Sequence, residues 1–234
     1  MSAAEVYKKT RKVPDLFWNA YVCRPVAAVL VDAVKGTRVT PNQITLSALV
    51  VATLSAALLL AVPGYVGLVA AVLLFEFSYV LDCADGMLAR WRGTASPVGH
   101  LLDFLMDEIK AFVLLAAVAA RLFLEQGDAR FLLIGLVGLV ALASGVALTT
   151  FVRRPEVAGP SASGGAPSGR ARGPLAWVER FAKFLIHYPS YIWLAAALGH
   201  IEYYFYPYVV VNALYAARAL LSVALRFGRF EPVK

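Results

Sequence analysis

The chain has 234 residues, of which 60% are hydrophobic and only 16% charged, against about 25% charged in an ordinary soluble domain. Its net charge of +7 could point to nucleic acid, but the basic residues sit between long apolar runs, which excludes that partner and points to a membrane. The two cysteines, Cys23 and Cys83, show no zinc-type spacing and lie in stretches assigned to the reducing cytoplasmic side, so neither a metal finger nor a disulfide is expected.

The first residues, Met1 to Pro14, are polar and basic, and no cleavable signal peptide is expected from them. Between Pro14 and Gly36, Leu16, Phe17, Tyr21, Val26, Val29, Leu30 and Val34 recur at helical spacing among Asn19, Arg24, Asp32 and Lys35. This predicts an amphipathic helix on the cytoplasmic membrane face, with Trp18 and Tyr21 in the headgroup zone and the basic residues toward anionic lipid. Thr40-Pro41-Asn42 then opens a helix, Thr as cap and Pro in the first turn.

Six apolar runs follow, at about 43–62, 65–83, 101–124, 130–152, 182–199 and 204–225. Crossing a hydrocarbon core takes roughly 20 apolar helical residues, and only helices or closed barrels satisfy the backbone there. The predicted fold is an all-α integral membrane protein, with six transmembrane helices preceded by an N-terminal amphipathic interfacial helix. Residues 1–38 form the cytoplasmic N-terminal part and 39–234 the membrane domain, with a flexible cytoplasmic loop at about 155–176 that is rich in Gly, Ser, Ala and Pro. Lys8, Lys9, Arg11, Lys12, Arg24, Lys35 and Arg38 precede the first run. Arg90 and Arg92 follow the second; Arg153, Arg154, Arg170, Arg172, Arg180 and Lys183 follow the fourth; Arg226, Arg229 and Lys234 end the chain. The other connections are nearly bare, so both termini are expected in the cytoplasm and the chain in the cell's inner membrane. Small residues Gly135, Gly138, Ala141 and Gly145 in the fourth run allow close helix packing, within one chain or between two. Glu76 and Arg218, charges in separate runs, are a possible pair.

The chemistry concentrates between Asp82 and Asp107. Asp82 and Asp85 lie three residues apart, about 60° around a helix, and Asp103 and Asp107 lie four apart, about 40°. If the two helices are neighbours, all four carboxylates converge at the cytoplasmic ends of the second and third spans. Bringing them together without cations costs several kcal/mol, on the order of the repulsion and desolvation of buried like charges. Hard divalent cations with oxygen ligands remove that cost, and Mg²⁺ is the natural candidate. Gly86 and Ala89 keep the helix slim beside a bulky ligand, and Arg90 offers a charge suited to phosphate.

The pattern Asp82-x2-Asp85-Gly86-x2-Ala89-Arg90-x8-Gly99-x3-Asp103-x3-Asp107 resembles, at every fixed position, the signature of the CDP-alcohol phosphotransferase (CDP-alcohol phosphatidyltransferase) family. The resemblance implies two Mg²⁺ ions, replaceable by Mn²⁺, with Asp82, Asp85 and Asp103 as shared ligands. It implies that Asp107 is both a ligand and the general base, and that Asp103 belongs to the same catalytic centre. Gly86, Ala89, Arg90 and Gly99 would hold the CDP moiety. Thr40, Pro41 and Asn42 resemble a Thr-Pro-Asn at the start of the first span in many members, which adds Thr40 and Asn42 to the expected CDP-binding set, although a helix cap explains the match equally well. The family further implies a homodimer.

The reaction so implied is transfer of a phosphatidyl group from CDP-diacylglycerol to a hydroxyl of a polar alcohol, with release of CMP and a place in phospholipid biosynthesis. A phosphorylated acceptor such as glycerol phosphate or inositol phosphate would suit Arg153 and Arg154, which otherwise read as ordinary positive-inside anchors, and Lys110 could also reach it. Lys110 could instead pair with Asp107 or Glu108. The alternative readings are a CDP-choline or CDP-ethanolamine transferase acting on a diradylglycerol, and a transporter or non-catalytic scaffold.

Overall fold

The computed structural model describes residues 2–12, 15–158, 181 and 184–227. Among them every regular element is helical. Helix α1 (Ala3–Thr10) starts on a capping box in which Glu5 reaches back to the Ser2 amide. A further helical stretch opens as a π turn (Asn19–Cys23) and continues as α2 (Arg24–Val34). Pro25 accounts for the wide turn. It has no N–H to give Tyr21 and its ring crowds that carbonyl, so the next bond runs from the Arg24 amide to the Asn19 carbonyl.

The bundle proper consists of α3 (Pro41–Ala61), α4 (Gly64–Arg92), α5 (Pro97–Gln126) and α6 (Arg130–Val152), then the short α7 (Pro155–Ala158) and α8 (Ile192–Ala197), and last α9 (Glu202–Phe227). Four of them, α3, α4, α6 and α9, are long and apolar enough to cross a membrane. The two other expected spans do not meet that description. Helix α5 has 30 residues, ample length, but Asp103, Asp107, Glu108, Lys110, Arg121 and Glu125 make it too charged. The stretch expected at 182–199 begins outside the described residues. It is then interrupted by a 3₁₀ turn at Tyr188–Ser190, where Pro189 cannot donate, and only the six residues of α8 follow before Gly199 turns the chain at φ +73°. Residues 159–176 of the expected loop, and Arg170, Arg172, Arg180, Lys183, Arg229 and Lys234, lie outside the described residues.

Short turns make successive long helices antiparallel. The end of α4 and the start of α5 therefore share one end of the bundle with the start of α3 and the end of α6. Helix α3 packs along both α4 and α5, which touch each other far less, and α6 packs on α5 and α9. The small residues of α6 are used inside the chain: a Cβ on Gly135 would stand 2.4 Å from the Ala119 Cβ, and one on Gly138 2.8 Å from Val209 Cγ2. At the opposite end, buried Arg121 donates to the carbonyls of Leu59, Val62 and Gly64 and pairs with Glu125 at 2.6 Å. It thereby ties the α3–α4 turn to α5 and satisfies carbonyls left over at a helix end.

The helix over residues 17–34 divides its side chains in two. Asn19, Cys23, Ala27, Ala28 and Val31 are buried, with α2 packed on α4. Phe17 and Tyr21 are 75% and 71% exposed, in company with Val26 and Val29. Trp18 departs from the expected headgroup position: it stacks on Trp193 at 5.0 Å and donates Nε1–H to Glu76 Oε2 at 3.1 Å. Glu76 therefore has Trp18 as its partner, not Arg218.

Candidate active site

The site end of α4 stops on Gly93, whose left-handed φ of +68° closes the helix. Ser96 then caps α5 by accepting the Gly99 amide at 3.0 Å, with Pro97 in the first turn. This tight loop sets Asp103 and Asp107 beside Asp82 and Asp85. Oxygens of Asp82, Asp85 and Asp103 all lie within 4.8 Å of one another. Because α4 and α5 are held apart by their common partner α3, the carboxylates converge across a gap, and backbone does not fill it.

Each acid has its own surroundings. Asp85 is buried and accepts a hydrogen bond from Thr45 Oγ1 at 2.5 Å. Asp103 Oδ1 is buried with no hydrogen-bond partner among the described residues. Asp82 Oδ1 meets Lys110 Nζ at 2.5 Å, and the same ammonium meets Asp107 Oδ1 at 2.7 Å. Lys110 is thus an internal ion-pair partner of one acid from each helix, and it borders neither cavity described next. Asp107 stands outside the three-acid group. An orphaned carboxylate oxygen inside an oxygen-only set of this size fits a hard divalent cation. Neither cysteine joins it: both are buried and free, and burial, followed by the charge of Glu76, pushes the Cys23 thiol up to about 12.

One cavity opens on the three-acid group and another on Asp107. The first, of about 680 Å³, is bordered by Asp85 and Asp103 together with Thr40, Asn42, Gly86, Ala89, Arg90 and Gly99. The six residues expected to hold a CDP group therefore line one cavity together with two of the acids. Thr40 also caps α3 through a reciprocal box with Gln43, so the cap and the cavity wall are one residue. A Cβ on Gly86 would come 3.3 Å from Arg90 Nη1; glycine leaves the guanidinium room. The second cavity, of about 530 Å³, is bordered by Asp107, Glu108, Arg153, Tyr79, His187 and Asn212 among more apolar neighbours. Arg153 lies over Phe104, whereas Arg154 does not border it. Tyr79 donates to Asn19 Oδ1 at 3.0 Å and meets His187 Nε2 at 2.7 Å.

Sequence reasoning did not single out Thr45 or Tyr79. Thr45 lies one turn into an apolar helix that begins at Pro41, and a hydroxyl there has a local explanation, since it also reaches the Pro41 carbonyl.

The fold and the centre together define a helical membrane protein with a carboxylate site fit for a divalent cation at one end of its bundle. The family model for CDP-alcohol phosphatidyltransferase matches residues 38–211, and the chain belongs to that family, whose members are metal-dependent transferases. It is 31% identical over 101 residues to a bifunctional IPC transferase and DIPP synthase of Archaeoglobus fulgidus, a match covering 43% of this chain and 19% of that protein. It is 44% identical over 45 residues to an archaetidylinositol phosphate synthase of Aeropyrum pernix, covering 19% of this chain and 23% of that protein. The matches thus take in about a fifth of each relative's length.

Proposed function

We propose that the chain transfers a phosphatidyl-type group from CDP-diacylglycerol to a hydroxyl of a phosphorylated polar alcohol, such as inositol phosphate or glycerol phosphate, and releases CMP. The observation that carries this reading is a pair of cavities bordered by different acids of one neighbourhood: Asp85 and Asp103 at the first, and at the second Asp107, which Lys110 joins to Asp82. A donor with its diphosphate in the first cavity and an acceptor hydroxyl in the second would face each other across the carboxylates, which makes their encounter effectively intramolecular. The relatives named for IPC and archaetidylinositol phosphate, with Arg153 at the second cavity, support a phosphorylated acceptor.

Asp82, Asp85 and Asp103 would hold Mg²⁺, with Asp107 completing the set for a second ion and Mn²⁺ able to substitute. Bound there, the ions would neutralise the diphosphate and the departing CMP. Asp107 takes the proton of the acceptor hydroxyl as its oxygen attacks the β-phosphorus and the bond to CMP breaks. Lys110 holds Asp107 and Asp82 in register, Thr45 holds Asp85, and Arg90 steadies the donor phosphates.

For the membrane arrangement, we take α5 and the interrupted stretch at 182–199 as the two further spans. The charges within α5 are paired inside the bundle by Lys110 and Arg121, which lowers the cost of their burial. The exposed row of Phe17, Tyr21, Val26 and Val29 would lie in the lipid interface. Lys8, Lys9, Lys12, Arg38, Arg92, Arg153 and Arg154 gather at the site end, so both termini and the site would face the cytoplasm.

The test is CMP release by the purified chain from CDP-diacylglycerol with a panel of alcohols. Release that needs Mg²⁺ and is lost in Asp107→Asn is expected. No release with any alcohol, or full release by Asp107→Asn, would sink the enzyme reading. Product from CDP-choline and diacylglycerol alone would overturn the donor assignment.

A further inference from the structure

Arg90, the cation of the family motif, is not aimed by the bundle alone. Its Nε–H is donated to the Thr10 carbonyl at 2.9 Å, and among the described residues neither of its Nη groups has an acceptor. Thr10 belongs to α1 and is no loose tail. Thr10 and Val6 are almost fully buried, Tyr7 donates its hydroxyl to the Ala20 carbonyl at 2.8 Å, and Lys9 lies over the Trp91 ring at 4.5 Å. Two residues past Thr10, Lys12 borders the first cavity alongside Asp85, Arg90 and Asp103. Lys12 is exposed and has no ion-pair partner among the described residues.

Arg92 serves as the contrast. It lies at the same cavity, yet its guanidinium is taken up by the carbonyls of Val34, Lys35, Thr37 and Val39. That makes it a brace for the turn after α2, with little left for a ligand. Beyond the ions that the acids would hold, the phosphate oxygens turned toward the cavity mouth need donors of their own, and beside Arg90 the ammonium of Lys12 borders that mouth.

We propose that the N-terminal segment is part of the donor site: the Thr10 carbonyl aims Arg90 by accepting its Nε–H, and Lys12 supplies a second cation to the donor's diphosphate at the cavity mouth. This rests on the CDP-donor reading above and adds to it residues outside the 38–211 stretch matched by the family.

The experiment compares wild type with Lys12→Gln, Lys12→Arg and the exposed Lys8→Gln in full-length protein. It reads steady-state CMP release and, separately, CDP binding with Mg²⁺ by calorimetry. Lys12→Gln is expected to raise KM for the donor and Kd for CDP about tenfold, the loss falling on KM rather than kcat. Lys12→Arg should recover most of it, and Lys8→Gln should match wild type. As a measurement needing no variant, CDP with Mg²⁺ should protect Lys12 of wild type, but not Lys8, from reductive methylation read by mass spectrometry. Unchanged CDP affinity in Lys12→Gln, a loss confined to kcat, or equal labelling of Lys12 with and without CDP would overturn the inference while leaving the donor reading intact. A wild-type chain that binds no CDP would overturn both.

Discussion

Replacing Lys110 by methionine removes a cation shared by the two acidic helices while keeping much of the side chain's volume. The Lys110 side chain is 1% exposed, Asp82 10% and Asp107 36%. Asp107 can turn to water when its partner leaves; Asp82 cannot. An unpaired buried charge costs about 3–5 kcal/mol. Asp82 could escape by taking up a proton, but for an ordinary aspartate at pH 7 that costs about 4 kcal/mol as well. Both routes lead to about 4 kcal/mol, which for a chain of this length corresponds to a melting point lower by about 10 °C. Thermal unfolding in detergent, followed by tryptophan fluorescence with EDTA present, measures it. Saturating Mg²⁺ returns positive charge to Asp82, so it should raise the melting point of Lys110→Met by several degrees more than that of wild type. A variant that melts within about 2 °C of wild type in EDTA, or an equal Mg²⁺ response in both proteins, would refute the ion-pair reasoning.

Two more predictions concern the supports of the site and of the bundle. Thr45→Val keeps the shape but removes the hydroxyl on buried Asp85; CMP release should fall about ten- to a hundredfold, as when a metal ligand loses its outer partner, and the melting point should fall by a few degrees as the carboxylate loses its donor. Gly135→Val places a Cβ where 2.4 Å separates it from Ala119 and should cost about 1–3 kcal/mol, visible as a lower melting point with CDP affinity retained.

The carboxylate motif was legible because its spacing is local: three and four residues on a helix put acids on one face whatever surrounds them. The apolar runs were legible for the same reason, although only four of the six stand in helices long and apolar enough to cross a membrane. Helix α5 carries charges that only the bundle pairs, and Pro189 interrupts what reads as a continuous run. Thr40 was readable as a cap because capping is a matter of three residues; its place on the wall of the first cavity was expected only through the family resemblance.

What the sequence by itself determined is the set of acids, their faces, and a chain that belongs in a membrane, since each follows from neighbours within a turn or two. Tertiary structure alone decided which partner each charge keeps. Lys110 could have joined Glu108 yet bridges Asp82 and Asp107, and Trp18 takes Glu76 from Arg218. Arg90 depends on a carbonyl eighty positions away. The Lys110–Asp82 pair exists only once α3 has set the gap between α4 and α5, and the bonds of Trp18 and Arg90 only once the N-terminal helices have packed on α4.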